Sequence, residues 1–306
     1  MRLTIAVPTY RRPDMLDDCV RSLLPQVEDG VEVRVIDNDP AASARAQVES
    51  YGHPRLLYAH EPQPGVVQAR NRAVRDMRGD YLAFIDDDEI AREGWVRALL
   101  RHAGMGVAAS FGRVVPRFAA PVEPGLERLL DDLYTRDLRQ PQDADISSHW
   151  IKLGTGNSLF GRAQCFDAPD PFSARLNGTG GEDVWLVRSL AQRGLALVWN
   201  PAAVVDEQVP ADRATLEYVA TRRYRQGQQR IIMMRGENRG PRAWATAAAW
   251  MGVGAVQAGL HGGQALGLRL AGRPTWRGQA ARASGGLGKI FWWRLWEKTP
   301  YAGGAS

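Results

Sequence analysis

The chain has 306 residues, room for one large α/β domain or two small ones around a substantial core. Its 44% hydrophobic and 24% charged residues exclude a disordered chain, and two cysteines, Cys19 and Cys165, exclude a disulfide framework and read as small buried hydrophobes. The net charge of +5 is split: residues 221–306 carry 14 Lys and Arg against two acids, Glu237 and Glu297, and residues 1–220 carry 25 against 32, which excludes a basic nucleic-acid-binding core.

Leu3 to Val7 reads as a strand ending at Pro8, and this apolar run is too short for a signal peptide, so a cytoplasmic protein is expected. Pro13 suits a helix first turn, and Leu16, Cys19, Val20, Leu23 and Leu24 recur at helical spacing behind it. Val31 to Ile36 is a second strand and Leu56 to Ala59 a shorter third. Val66 to Met77 predicts a helix, and Tyr81 to Ile85 a fourth strand. Strand and helix alternating in this way imply parallel pairing with right-handed crossovers, in a sheet whose ligands sit beyond the carboxyl ends of the strands. Three polar clusters fall at such ends: Thr9-Tyr10-Arg11, Asp37-Asn38-Asp39 and Asp86-Asp87-Asp88.

From Val107 to Asp206 the chain is less regular and rich in Gly and Pro. It contains Gly154-Thr155-Gly156-Asn157 and a second glycine run, Gly178 to Gly181, that opens a helix from about Val184 to Gln192, with Gly194 as its stop. A further helix is expected from Arg213 to Met234. Beyond Pro241 the residues are mostly small, acids are missing until Glu297, and six of the ten tryptophans occur.

Asp86, Asp87, Asp88 and Glu89 directly follow a strand. Adjacent carboxylates repel, so the grouping costs stability unless a cation or donors compensate; otherwise it is a solvated acidic turn. A hard divalent cation such as Mg²⁺ or Mn²⁺ takes carboxylate oxygens and keeps positions open for phosphates. Arg70 falls on the apolar stripe formed by Val66, Val67, Ala73, Val74 and Met77, so an inward guanidinium needs an anionic ligand or a carboxylate; the other explanation is a snorkelling arginine or one paired with Asp37 or Asp39. Glu182 and Asp183 suit the dipole of a helix first turn, or supply a general base on a glycine-rich loop able to close over substrate. A dinucleotide-binding G-x-G-x-x-G does not follow the first strand, which argues against a Rossmann oxidoreductase.

Taken in order, Val7-Pro8-Thr9-Tyr10-Arg11-Arg12-Pro13, Val35-Ile36-Asp37-Asn38-Asp39, Ala69-Arg70-Asn71, Phe84-Ile85-Asp86-Asp87-Asp88-Glu89 and Gly180-Gly181-Glu182-Asp183 resemble family 2 glycosyltransferases. Trp150, Gly154 to Asn157 and Arg222-Arg223-Tyr224-Arg225-Gln226-Gly227 are similar to the subgroup that builds succinoglycan-type exopolysaccharides. The resemblance covers roughly residues 3 to 230. It implies the GT-A fold, a Rossmann-like and mostly parallel sheet, with a nucleotide-sugar half at about 1–105 and an acceptor half at about 106–235. It also implies inverting, metal-dependent transfer, usually from a UDP-sugar. Pro8, Thr9 and Tyr10 would line the nucleoside pocket and Asp37 would accept from the uracil ring. Arg70 would face the nucleotide, Asp86 the ribose side, and Asp88 would hold the Mn²⁺ or Mg²⁺ on the diphosphate. Arg11, Asn38, Asn71, Asp87, Gly154, Gly156 and Asn157 complete the expected substrate-binding set. Asp183, with Glu182 beside it, would remove the acceptor's proton. The Gln-x-x-Arg-Trp signature of processive synthases is missing, since Gln226 to Arg230 reads Gln-Gly-Gln-Gln-Arg, which favours one sugar per encounter. Gly161-Arg162 stands where many relatives carry two basic residues, a departure from the pattern at a position of acceptor contact.

Ala243 to Leu268 carries no formal charge apart from a protonated His261, yet its Ala and Gly content makes insertion into a bilayer marginal. Arg269, Arg273, Arg277, Arg282, Lys289, Arg294 and Lys298 follow, interleaved with Trp276 and Phe291 to Trp296. This pattern favours an anionic membrane surface at the inner face of a bacterial membrane, where a saccharide or lipid-linked acceptor would reside. The other explanation is a helical appendage packing on the enzyme or a second copy; oligomeric state is open. Two alternatives compete with the transferase reading. One is a phosphatase of the haloacid dehalogenase type, since Asp86 to Ile90 approximates its D-x-D pattern, though here after the fourth strand and with Lys152, Lys289 and Lys298 the sole lysines. The other is a catalytically silent membrane scaffold that keeps the fold.

Overall fold

A computed structural model describes residues 1–177, 181–235 and 240–293. Contacts divide the chain into two compact units, Met1–Arg117 with Tyr134–Gln208, and Phe118–Leu133 with Val209–Ser306. Helical residues up to Arg235 therefore group with the C-terminal helices in this division.

The first unit begins as β1 (Leu3–Thr9), α1 (Pro13–Leu23), β2 (Val31–Asp37), α2 (Arg45–Ser50), β3 (Leu56–His60), α3 (Val66–Asp76) and β4 (Tyr81–Phe84). These strands lie in the order β3-β2-β1-β4, all parallel. Alternation sorts their side chains onto two faces. Leu3, Ile5, Val7, Val31, Val33, Val35 and Ala83 pack with Leu16, Val20 and Leu23 of α1 on one side. Ala6, Ile36, Leu82 and Phe84 pack with Val67, Ala73 and Val74 of α3 on the other. Both cysteines are buried and free, as their composition predicts.

The rest departs from a mostly parallel sheet. After β5 (Glu89–Ala91), α4 (Trp95–Gly104), β6 (Ala109–Phe118), α5 (Glu127–Tyr134), β7 (Ser158–Gly161), α6 (Arg162–Cys165), α7 (Glu182–Gln192) and β8 (Leu197–Val209), the order continues from β4 as β7-β6-β8-β5. Here β7 runs antiparallel to β4 and to β6, and β5 antiparallel to β8, so the eight-stranded sheet is mixed. Antiparallel neighbours need no crossover helix, which suits an irregular stretch of chain. Buried Trp95 and Trp199 anchor α4 and β8; the apolar residues of β8 are too interrupted to be read from the sequence.

In the second unit, α8 (Leu216–Arg235) starts later than expected because Ala211–Ala214 forms a separate 3₁₀ turn. Helices α9 (Pro241–Leu270) and α10 (Trp276–Ile290) pack on each other, and α10 also packs on α8. Their glycines permit the close approach: a Cβ at Gly286 would stand 2.6 Å from the Gly254 carbonyl oxygen, and one at Gly288 would overlap the Tyr224 carbonyl. One face of α9 stays exposed and apolar, at Trp244, Val253, Val256, Leu260, Leu266 and Leu270. Among the described residues, no helix is long and apolar enough to cross a membrane.

Candidate active site

The parallel register brings Thr9 level with Asp37, and β4 delivers Asp86 to Asp88 at the same end of the sheet. These clusters divide the work. Asp37 is fully buried, and its oxygens accept from the amides of Asp39 (3.0 Å) and Ala44 (2.8 Å) and from the Tyr58 hydroxyl (3.0 Å). It fastens the 39–44 loop, and the expected uracil contact finds this carboxylate already engaged. Asn38 is likewise committed, accepting from Gly65 N at 2.7 Å and donating to the carbonyls of Glu61 and Gln63. Tyr10 is exposed beneath the Arg11 guanidinium, 5.1 Å from its ring centre, and Arg11 reaches Asp39 at 3.1 Å. A groove lined by Thr9, Arg11, Arg12, Pro13, Leu16, Ser43, Ala44 and Gln47 opens here, with Pro8 half-buried on β1 behind it.

Arg12 gathers the acidic cluster, donating to Asp87 Oδ1 (2.9 Å) and Asp88 Oδ2 (3.1 Å). Asp87 also accepts from the Thr9 hydroxyl at 2.9 Å, which ties β1 to the turn after β4. Burial pushes its carboxyl up to about 6 against the pull of Arg12. Glu89 is buried and accepts from the amides of Asp86 (2.9 Å) and Asn157 (3.1 Å); burial, then the charge of Asp86, pushes it well above the usual carboxylate range. The Asp86 side chain is 40% exposed, with Oδ1 3.7 Å from Arg70 Nη2.

Arg70 is buried, as its place on the apolar stripe predicts, but its partners are Glu182 and Asp86, not Asp37 or Asp39. Glu182 Oε1 accepts from Arg70 Nη1, and Glu182 is itself buried. Asp183 is half-buried; Oδ1 accepts from Val184 N at 2.7 Å, and Oδ2 faces Gly154, where an added Cβ would come within 2.9 Å of it. Gly156 stands equally close to Asp86, at 2.8 Å from Oδ2 by the same measure. At both positions a side chain would displace a carboxylate of the cluster. Gly181 begins α7 at φ 88°, and Gly178 to Gly180 of the expected closing loop lie outside the described residues.

Two expected contact residues turn inward. Asn71 exchanges hydrogen bonds with the Phe172 backbone, both at 2.9 Å. Asn157 accepts from Trp95 Nε1 at 2.8 Å and donates to the carbonyls of Arg113 and Ala203. With both ends of each amide satisfied within the protein, these residues brace the site. The structure thus brings together Asp86, Asp88, Arg70, Glu182, Asp183, Gly154 and Gly156. It adds Glu89 and Arg12, which the sequence shows without revealing their work. Among the described residues no group of three His, Cys, Asp or Glu forms a metal cage. The oxygen donors of Asp86 and Asp88 do fit a hard cation that completes its shell with phosphates and water.

The sequence model of glycosyl transferase family 2 matches residues 4–154. The succinoglycan biosynthesis protein ExoM of Rhizobium meliloti (strain 1021) is 35% identical over 237 residues, 74% of this chain and 74% of that protein. The chain belongs to glycosyl transferase family 2. Validoxylamine A glucosyltransferase of Streptomyces hygroscopicus subsp. jinggangensis (strain 5008) is 28% identical over 64% of this chain and 52% of its own length. Two solved structures share the fold at low identity. S. aureus TarS in complex with UDP-GlcNAc matches with a TM-score of 0.51 and 14% identity, over 76% of this chain and 67% of that one. GalNAc-T7 with UDP, GalNAc and Mn²⁺ matches at 0.53 and 13%, over 76% and 51%. The protein is therefore a glycosyltransferase, and its α/β fold is that of the GT-A kind. A dehalogenase-type phosphatase is not supported.

Proposed function

We propose that this glycosyltransferase moves one sugar per encounter from a UDP-sugar to a saccharide or lipid-linked acceptor, inverting the anomeric centre, in bacterial exopolysaccharide or cell-surface glycan synthesis. The observation that carries the assignment of roles is the unequal state of two neighbouring acids: Glu182 is buried against Arg70, whereas Asp183 directs Oδ2 past Gly154.

In this reading the groove beside Thr9, Arg11 and Arg12 takes the nucleoside, with Tyr10 at its edge. Asp86 and Asp88 hold a divalent cation, Mg²⁺ or Mn²⁺. When bound, it neutralises charge developing on the departing diphosphate without moving a proton. Asp183 Oδ2 accepts the proton of the acceptor hydroxyl as that oxygen attacks the anomeric carbon from the face opposite the diphosphate. A single displacement needs this one base, not the carboxylate pair of a hydrolase. Glu182 holds Arg70 in place, and Arg70 lends positive charge beside Asp86.

The exposed apolar face of α9, flanked by exposed Arg242, Arg269 and Arg273, supports docking on an anionic membrane surface from the cytoplasmic side. The deciding experiment is a panel of UDP- and GDP-sugars with Mn²⁺ or with a chelator, scored by thermal shift and by product stereochemistry. Metal-dependent stabilisation by UDP and an inverted product support the reading; a retained configuration or a metal-independent turnover rejects it.

A further inference from the structure

Arg136 has no place in the roles given so far, yet it is one of the most committed side chains in the first unit. Its main chain is pinned, N and O each bonding Val114 at 3.1 Å. Its side chain is buried and makes four hydrogen bonds, all to carbonyl oxygens: Nε to Gly112 (2.8 Å), Nη1 to Gly154 (3.4 Å), and Nη2 to Gly156 (2.7 Å) and Asn157 (2.8 Å). A buried cation without a carboxylate in hydrogen-bond contact is costly unless long-range charge compensates. The carboxylates of Glu89, Asp86, Glu207 and Asp183 supply that field, opposing the fall in its pKa that burial causes.

We propose that Arg136 is a positioning residue for sugar transfer: its guanidinium grips the Gly154–Asn157 turn from behind and thereby sets where that turn stands against the carboxylates of Asp86 and Asp183. The geometry of the peptide unit carries the argument. A trans peptide directs each N–H opposite to the preceding C=O. Arg136, by holding the Gly156 carbonyl, aims the Asn157 N–H at Glu89 Oε2, 3.1 Å away. The same Glu89 oxygen accepts from Asp86 N at 2.9 Å, so the turn and the strand-end acid share one anchor. On the other flank, the held Gly154 leaves no room for a Cβ beside Asp183 Oδ2. The guanidinium fork is what allows one side chain to hold several carbonyls in a fixed plane; a lysine offers the charge from a single flexible point.

The inference rests on the reading of Asp183 as the base, and its test separates the two. Arg136→Lys keeps the buried charge and should fold; Arg136→Met removes both charge and fork. Amide exchange in the whole chain should show protection at residues 154–157 falling at least about tenfold in Arg136→Lys, with α1 and α3 unchanged. With UDP-glucose as donor and water as acceptor, read as UDP release, kcat should fall about tenfold or more while KM stays within about threefold, since small misplacement near the reacting atoms acts on the rate. Arg136→Met should lose more on both counts. Unchanged protection at 154–157 in Arg136→Lys overturns the proposal whatever the activity. So does an exchange increase spread over the whole sheet with kcat retained per folded molecule, which is the mark of a merely structural residue. Wild-type protein that releases no UDP would sink the functional reading, and exchange at the turn would still decide the grip of Arg136.

Discussion

Asp87 stands at the centre of the acidic cluster, and replacing its carboxyl should reshape the pH dependence of stability. Its folded pKa of about 6 lies about two units above the ordinary aspartate value of 3.8, because burial outweighs the help of Arg12 and Thr9. An acid whose pKa is raised on folding binds more protons in the native state. Its stabilising contribution is therefore complete below the unfolded pKa and is lost as pH rises through the folded one. The full span is about 3 kcal/mol, and between pH 5 and pH 7.5 the share lost is about 1.4 kcal/mol. For a folding unit of this size that corresponds to about 3–6 °C in Tm. The assay is denaturant unfolding of wild type and Asp87→Asn from pH 5 to 7.5 with chelator present, taken as a difference curve so that carboxylates remote from the cluster cancel. Wild type should lose stability relative to Asp87→Asn as pH rises across this range. A flat difference would show that Arg12 fully offsets the burial, one of opposite sign that it more than offsets it, and either would refute the reasoning.

Three further outcomes follow from the site and the helices. Asp183→Asn keeps the hydrogen bond from Val184 N but cannot take a proton, so transfer should fall at least about a hundredfold with UDP affinity nearly unchanged, and Glu182→Gln should cost less; the reverse order in single-turnover rates would exchange the two roles. Asp88→Asn should erase the difference between UDP thermal shifts measured with Mn²⁺ and with chelator, and an undiminished difference would remove Asp88 from the metal site. Because α10 packs on both α8 and α9, cutting the chain near 239 would strip a partner from α8. The membrane test is therefore better made on the full chain, where Arg242→Glu with Arg273→Glu should weaken sedimentation with anionic vesicles, as should high salt; equal binding by both proteins at all salt concentrations would discard electrostatic docking.

The parallel half of the sheet was legible because its strands are short apolar runs cut off by polar clusters, and because α1 and α3 carry clean apolar stripes. Arg70 stood out on such a stripe, and its burial follows from that position. The antiparallel half was not legible. β8 pairs with β5 more than a hundred residues earlier in the chain, and its run Leu197–Val209 mixes Asn200, Pro201, Asp206 and Glu207 with apolar residues, so no period announces it. In the Ala- and Gly-rich stretch from Ala243 to Leu268, Gly254 meets the backbone of α10 while Gly252, Gly259, Gly262, Gly263 and Gly267 face open space, so close packing depends on the partner helix and not on local composition.

At the site, sequence motifs disclosed which residues gather but not which way they point. Asp37, Asn38, Asn71 and Asn157 belong to the strand ends and turns that form the site, yet their polar atoms are spent on backbone groups and, for Asp37 and Asn157, on Tyr58 and Trp95 as well. Asp86, Asp183 and Arg12 come from the same segments and keep atoms toward the groove or the acidic cluster. The difference lies in burial: an amide or carboxylate removed from water must find partners, and main-chain groups of loops that carry no regular structure need partners too. A cleft built from strand-end loops therefore requires fasteners as well as contact residues, drawn from the same short polar side chains. Arg136 and Glu89 extend that logic to charge, one cation and one acid bracing the turn between Asp86 and Asp183, so that the reacting carboxylates are placed by residues that need not touch the sugar.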